Sequence, residues 1–277
     1  AAAGAPGART LNQTRYSDPD TFGTGTISIV STSLPTGREA LKPSETLIAD
    51  KSGQYTAMTG LWIFNDNSIA TQVNLANPGT GDAVLQGASV IATDALGRAL
   101  RTTGVTTEYA ETGLTGTQLG IGGASARTIF ARVRPTNNDQ GGFFSYGGAT
   151  SRASLTIRGT GGAGAGPYSV DYGWGEIPIP GGVIANDAVS TVVLTYTGTV
   201  LRAYVNGALI DSSTVALNTG INALFQIGRY KFGSNAAETK FAWNGHVYEI
   251  GTIAGVAWSD AEVAVYDANP LGCLKRA

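Results

Sequence analysis

The chain reads as an all-β protein whose strands stack as a two-sheet antiparallel sandwich, and three observations carry that reading. From Met58 onward, short runs of β-branched and aromatic residues are bounded by Gly, Asn and Asp. Glycine fills 39 of 277 positions, about twice the roughly 7 % background, which suits a chain that turns often. Asn-Gly pairs at 206–207 and 244–245 supply neighbouring residues that tolerate positive φ, as a two-residue type I′ hairpin turn requires.

The elements follow in chain order. Residues 1–55 hold Pro6, Pro19, Pro35 and Pro43, no Trp, and one strand-like run at Thr26–Val30. They read as an extended N-terminal arm, which fifty extended residues would carry over roughly 165 Å; a floppy leader and a small extra β-element are the alternatives. Residues 56–270 form the sandwich domain and 271–277 a tail. "LWIF" at 61–64 is an apolar strand. "RTIFARVRP" at 127–135 sets Ile129, Ala131 and Val133 on an apolar face and Thr128, Phe130, Arg132 and Arg134 on a mixed one. Val192, Leu194 and Tyr196, then Leu201, Ala203 and Val205, mark two strands of period two, and Asn206-Gly207 turns into "ALID". "LFQIG" (224–228) and "FAWNGHVYEIG" (241–251) repeat the device, with a second hairpin turn expected at Asn244-Gly245. Ser259 with Glu262 three residues on is a capping box: the hydroxyl satisfies a free backbone N–H while the carboxylate reaches back to the cap. "DAEVAVYDA" then gives one short C-terminal helix, burying Val263 and Tyr266 and stopping at Asn269-Pro270.

Composition excludes several function classes. Charged residues are 14 % of the chain and net charge is −2, and no Lys/Arg cluster exceeds "KR" at 275–276. Without basic clusters the counterion release that drives phosphate-backbone binding is missing, so nucleic acid is not an expected partner. No apolar run reaches the ~18–20 residues of a helical membrane span. One Cys (Cys273) and one His (His246) leave no internal disulfide and no Cys-based zinc cage, so no metal or cofactor is expected.

The pieces "GLWIFND", "VVLTYTGTVLRAYVNGALI", "FQIGRY" and "WNGHVYEIGTIAGVAWSDAEV" resemble a laminin-G-like, concanavalin A-like jelly roll, from roughly Ala57 to Pro270. The resemblance implies two curved antiparallel sheets, ligands on the concave face or its rim loops, and many relatives without enzymatic activity. Where family members often carry an Asp-Glu pair, this chain has Tyr248-Glu249, so a structural or calcium role of that Asp does not carry over.

The chemical readings thin out. A hydrolase triad would depend on His246 as its base, yet no G-x-S-x-G elbow occurs. A glycosidase needs paired carboxylates on one strand face. Glu108 and Glu111 differ by three, Asp171 and Glu176 by five, and Asp260 and Glu262 belong to the capping box. "GTGGAGAG" (159–166) contains a G-x-G-x-x-G spacing, but strand-like residues follow where phosphate binding needs a helix. Asp66, Asp139 and Asp171 could offer oxygens to calcium, each with a turn role as the competing reading. The most ligand-like stretch is "PYSVDYGWGEIPIP" (167–180). There Tyr168, Tyr172 and Trp174 would offer faces to apolar sugar patches, and Asp171 and Glu176 would accept from hydroxyls; packing or subunit contact is the competing role of the aromatics.

These readings combine into an expectation. Since domains that resemble this one recur in bacterial surface proteins and tailed-bacteriophage particles, the resemblance implies a non-enzymatic structural or adhesive protein at a virion surface or outside cells, with a bacteriophage capsid decoration or fibre component as the expected form. Residues 1–55 would anchor it to other assembly subunits, a glycan is a candidate ligand, and a homo-oligomer is expected. A secreted carbohydrate-binding module is the alternative and a glycoside hydrolase the distant one.

Overall fold

The computed structural model describes Tyr55 and residues 57–65, 70–95, 97–137, 141–148, 154–159, 168–172, 175–219, 224–231 and 240–270. The first strands are β1 (Met58–Ile63), β2 (Thr71–Gln72), β3 (Ala83–Gln86), β4 (Val90–Asp94), β5 (Gly97–Thr103) and β6 (Tyr109–Thr115). Next come β7 (Arg127–Pro135), β8 (Gly142–Gly147), β9 (Ser154–Gly159), β10 (Tyr168–Asp171), β11 (Glu176–Ile179) and β12 (Ser190–Tyr196). The last are β13 (Val200–Val205), β14 (Ala208–Thr214), β15 (Leu224–Ile227), β16 (Arg229–Lys231), β17 (Lys240–Ala242), β18 (Asn244–Ala254) and the helix α1 (Asp260–Ala268).

The strands form the expected jelly-roll sandwich. The first sheet runs β14-β13-β12-β7-β18-β5-β4, and β1 also pairs with β18. The second runs β11-β10-β9-β8-β15-β6-β3-β2, and β16-β17 form a separate ribbon. Every described pairing is antiparallel. Because side chains alternate along a strand, each sheet presents one apolar face to the other. Ile129, Ala131 and Val133 of β7 meet Trp62, Phe144, Phe225 and Trp243 in the main core, where Trp62 stacks on Phe225 at 5.5 Å.

A second apolar cluster forms on the outer face of the first sheet. Phe130, Val193, Tyr204 and Ile253 pack there beneath Trp258 and the helix residues Val263 and Tyr266. The capping box is present as the sequence predicts, with Ser259 and Glu262 serving each other's backbone. Tyr55, read from sequence as the last residue of the arm, already belongs to this cluster, 5.3 Å from Trp258. Gly251 leaves room for Phe130, since a Cβ there would lie 2.1 Å from its ring. Trp258 stacks on Phe130 at 5.1 Å and Tyr266 lies at 4.8 Å, so the ring cannot move aside. Gly251→Ala is therefore expected to cost about 1–3 kcal/mol through overpacking, measured by urea unfolding.

The two Asn-Gly pairs differ. Asn206 (φ 50) and Gly207 (φ 76) make the predicted positive-φ turn between β13 and β14. The hairpin expected at Asn244-Gly245 is not one: both residues open β18, opposite Thr103 and Thr102, while β17 pairs with β16. Glycine serves close approach there, because a Cβ would lie 2.5 Å from the Arg134 carbonyl oxygen. Residues 1–54 of the arm, including the Thr26–Val30 run, most of the Gly-rich loop (160–166) and Cys273 lie outside the described residues.

Candidate functional site

Strand register builds a transverse row on the outer face of the second sheet. Val84 of β3 lies opposite Glu111 of β6, Glu111 opposite Gln226 of β15, and Gln226 opposite Ser145 of β8. Ser145 then faces Thr156 of β9, Thr156 faces Asp171 of β10, and Asp171 faces Glu176 of β11. One residue along, the parallel row is Leu85, Ala110, Ile227, Phe144, Ile157, Val170 and Ile177, and it turns into the core. Period-two alternation thus leaves a row of acceptors and hydroxyls on one side of an apolar layer.

The centre of this row is closed over by its neighbours. Gln226 Nε2 donates to Glu111 Oε2 at 2.7 Å. The Arg229 guanidinium donates from Nε and Nη2 to Gln226 Oε1 at 3.1 and 2.9 Å, and from Nη1 to the Thr106 carbonyl. It also lies 3.4 Å from the centre of the Tyr109 ring, and burial lowers its pKa. Ser145 Oγ donates to the Arg229 carbonyl, so β16 crosses the outer side of β8. Asp171 Oδ2 accepts from Arg158 Nε at 3.0 Å and from the Tyr230 hydroxyl at 3.1 Å. Burial, together with the Asp171 carboxylate, pushes the Tyr230 hydroxyl well above its ordinary range, so it stays a donor. Open positions remain at the ends: Glu176 is exposed, while Tyr172, Tyr109 and Glu111 are half-buried.

The predicted site residues divide between the two sides of β10. Asp171 and Glu176 are cross-strand neighbours on the outer row. Tyr168 points the other way, 1 % exposed in the main core and 6.2 Å from Trp243. Tyr172 packs partly against that core, beside the tight turn in which its N–H donates to the Gly175 carbonyl. Trp174 lies outside the described residues, as do Asp66 and Asp139. Sequence reading weighed Glu111 only against Glu108 and set it aside, and it missed Gln226, Arg158, Arg229 and Tyr230. For Arg158 a signal existed, since Thr156 and Arg158 alternate with Leu155 and Ile157. Among the described residues, no group of three or more His, Cys, Asp or Glu could hold a metal ion, and no helix is long and apolar enough to cross a membrane.

His246 sits elsewhere, on the outer face of the first sheet, 7 % exposed. Burial and the Arg134 guanidinium lower its pKa below the usual 6.5. The unfolded chain therefore takes up a proton at a higher pH than the folded one, and stability falls as pH drops below about 6.5 until the folded imidazole is itself protonated. Thermal melts between pH 5 and 8 should show this slope, and His246→Gln should flatten it.

No protein-family model matches the sequence, and no curated protein matches it significantly. Solved structures do share the fold. Domain 4 of the extracellular arabinanase AbnA from Geobacillus stearothermophilus, in complex with arabinotriose, aligns at 15 % identity and a TM-score of 0.54, over 75 % of this chain and 97 % of that one. Botulinum neurotoxin type C, in a structure describing its interaction with two ganglioside molecules, aligns at 11 % identity and TM-score 0.55. The match covers 79 % of this chain and 53 % of the toxin chain. Trypanosoma rangeli sialidase with the inhibitor DANA aligns at 15 % identity and TM-score 0.53, and this chain spans 33 % of its length. At these identities the likeness is one of fold.

Proposed function

We propose that the chain is a non-enzymatic adhesive module that binds glycans at the β10–β11 end of the outer polar row. The row itself carries the proposal: the carboxylates of Asp171 and Glu176 are cross-strand neighbours on its outer side, and Tyr172 and Trp174 lie between them in the sequence. Asp171 is held in place by Arg158 and Tyr230, so an acceptor is oriented before a sugar hydroxyl arrives. An aromatic face beside fixed acceptors is the usual chemistry of sugar recognition. Sandwiches of the same fold, solved with arabinotriose or described with gangliosides, support the reading.

The non-enzymatic part draws on the same geometry. Asp171 is engaged by a guanidinium and a phenol, and His246 belongs to the other sheet. Glycan-array binding is the test. Trp174→Ala and Glu176→Gln are expected to weaken binding about tenfold or more, the loss of roughly 1.4 kcal/mol, without shifting the unfolding midpoint. Binding unchanged in both variants refutes the site. Measurable glycoside turnover lost in Glu176→Gln refutes the non-enzymatic reading.

A virion placement, as capsid decoration or fibre with residues 1–55 as anchor, extends the proposal. It draws on the low charge (14 %) and on the jelly-roll resemblance. Deleting residues 1–50 should abolish incorporation into the particle while leaving the sandwich folded, and normal incorporation of the truncated chain would refute it.

A further inference from the structure

The half of the first sheet's outer face that α1 leaves uncovered carries a second polar group with a different character. Arg101 of β5, His246 of β18 and Arg134 of β7 are consecutive cross-strand neighbours, with His246 opposite both arginines. Arg101 is exposed, and among the described residues its guanidinium has no ion pair or hydrogen bond. Its neighbour on the far side is Val90 of β4, not an acid. Arg134 gives Nη2 to Asp94 at 2.9 Å and brings the same nitrogen to 3.2 Å from His246 Nδ1. Its Nε is buried with no acceptor, as are Nε and Nη2 of Arg132 two residues along the same face.

The remaining groups around the imidazole are accounted for. Tyr248 stacks on it at 6.4 Å and donates its hydroxyl to Asp94 at 2.6 Å. Asp94 is thus shared between Arg134 and Tyr248, and burial with Asp94 nearby pushes the Tyr248 hydroxyl up, keeping it a donor. Asp187, from the loop before β12, is the other carboxylate acting on the ring, and more weakly than Asp94. Arg132 is opposed by Glu249 at 3.6 Å. Among the described residues around the ring, Arg101 is the cation left without a counter-charge, on the same face as the orphaned donors of Arg134 and Arg132.

We propose that Arg101, His246 and Arg134 form an oxyanion site, taking a sulfate, phosphate or carboxylate group between the Arg101 fork and the His246 ring. A guanidinium edge matches two oxygens of such a group, and the imidazolium form of His246 adds a second charged donor. Anion binding is therefore linked to proton uptake, and affinity rises as pH falls. The site lies on the first sheet and is independent of the glycan row on the second.

His246 is the sole histidine, so its imidazole resonances report on the site without assignment by mutation. The test is an NMR pH titration of the full chain at constant ionic strength, with chloride replaced by inorganic sulfate. Sulfate is expected to raise the His246 pKa by up to about one unit, a roughly tenfold preference for the charged ring. Arg101→Gln should remove most of that shift while leaving the unfolding midpoint in chloride unchanged, and Arg101→Lys should keep part of it. Equal titrations in sulfate and chloride, or a full shift retained in Arg101→Gln, overturn the proposal. A sulfated disaccharide that produces the shift at lower concentration than inorganic sulfate assigns the oxyanion to a glycan; equal concentrations assign it to the free ion.

Discussion

Replacing Arg127 by alanine is expected to lower stability by about 3–5 kcal/mol, a loss that unfolding in urea reads directly. Arg127 opens β7 and is 1 % exposed. Nη1 donates to the Ile121 carbonyl, to Thr219 Oγ1 at 2.9 Å and to the Tyr146 hydroxyl at 3.2 Å, and Nη2 donates to the Gly123 carbonyl at 2.8 Å. The Tyr196 ring lies 4.8 Å from the guanidinium carbon. Among the described residues the charge is met by carbonyls, hydroxyls and a ring face instead of a carboxylate. Truncation leaves those carbonyls without their charged donor and opens a cavity at the sandwich end, and both costs add. Burial raises the Tyr146 hydroxyl's pKa, so that group remains neutral and cannot take over as a counter-ion. Arg127→Lys should recover only part of the loss, because one ammonium cannot replace a planar fork that reaches several acceptors. A fully stable Arg127→Ala would show that the buried charge holds nothing together.

Arg127 also shows what sequence could and could not disclose. The alternation in "RTIFARVRP" places it on the same side as Ile129, Ala131 and Val133, so its inward direction was legible from parity. Its partners were not: Thr219 is 92 residues away, and only strand order brings it near. The β12–β13–β14 meander was readable because each run keeps period two and Asn206-Gly207 fits one turn geometry. The same dipeptide at 244–245 misled, since a glycine that opens a strand in close approach to a neighbouring backbone looks identical in sequence to one that makes a hairpin turn. The candidate site was half visible. Asp171 and Glu176 stand out through local composition, but Glu111 and Gln226 are 115 residues apart, and register across seven strands is a tertiary property. The pairing of Asp171 with Arg158 and Tyr230 depends on β16 crossing the sheet, which no local pattern encodes.

Arg132→Met is expected to cost about 3–5 kcal/mol at neutral pH, and the reason lies in its partner. Glu249 is 0 % exposed, held between Arg132 Nε at 3.6 Å and the Tyr266 hydroxyl of α1 at 3.3 Å. A register shift between Val247 and Glu249 marks a β-bulge, which sets Tyr248 and Glu249 on the same outer face. There Arg132 also covers the Tyr248 ring at 5.0 Å. Burial and the Glu249 carboxylate push the Tyr266 hydroxyl far above its ordinary range, so it only donates. Remove Arg132, and the buried carboxylate loses its guanidinium counter-charge. Burial without a counter-charge disfavours an ionised carboxylate, so the variant's stability should fall as pH rises. The deficit should therefore be small near pH 4 and grow toward neutrality. Glu249→Leu should cost less, about 1–2 kcal/mol, because the Arg132 side chain is 16 % exposed and can turn its charge to water. The double variant Arg132→Met with Glu249→Leu should recover most of the single arginine loss, since no buried charge remains. Urea unfolding of the four chains at pH 4.5 and 7 closes this cycle. Strict additivity, or a deficit independent of pH, would mean that the pair's two charges are not coupled through the α1 interface.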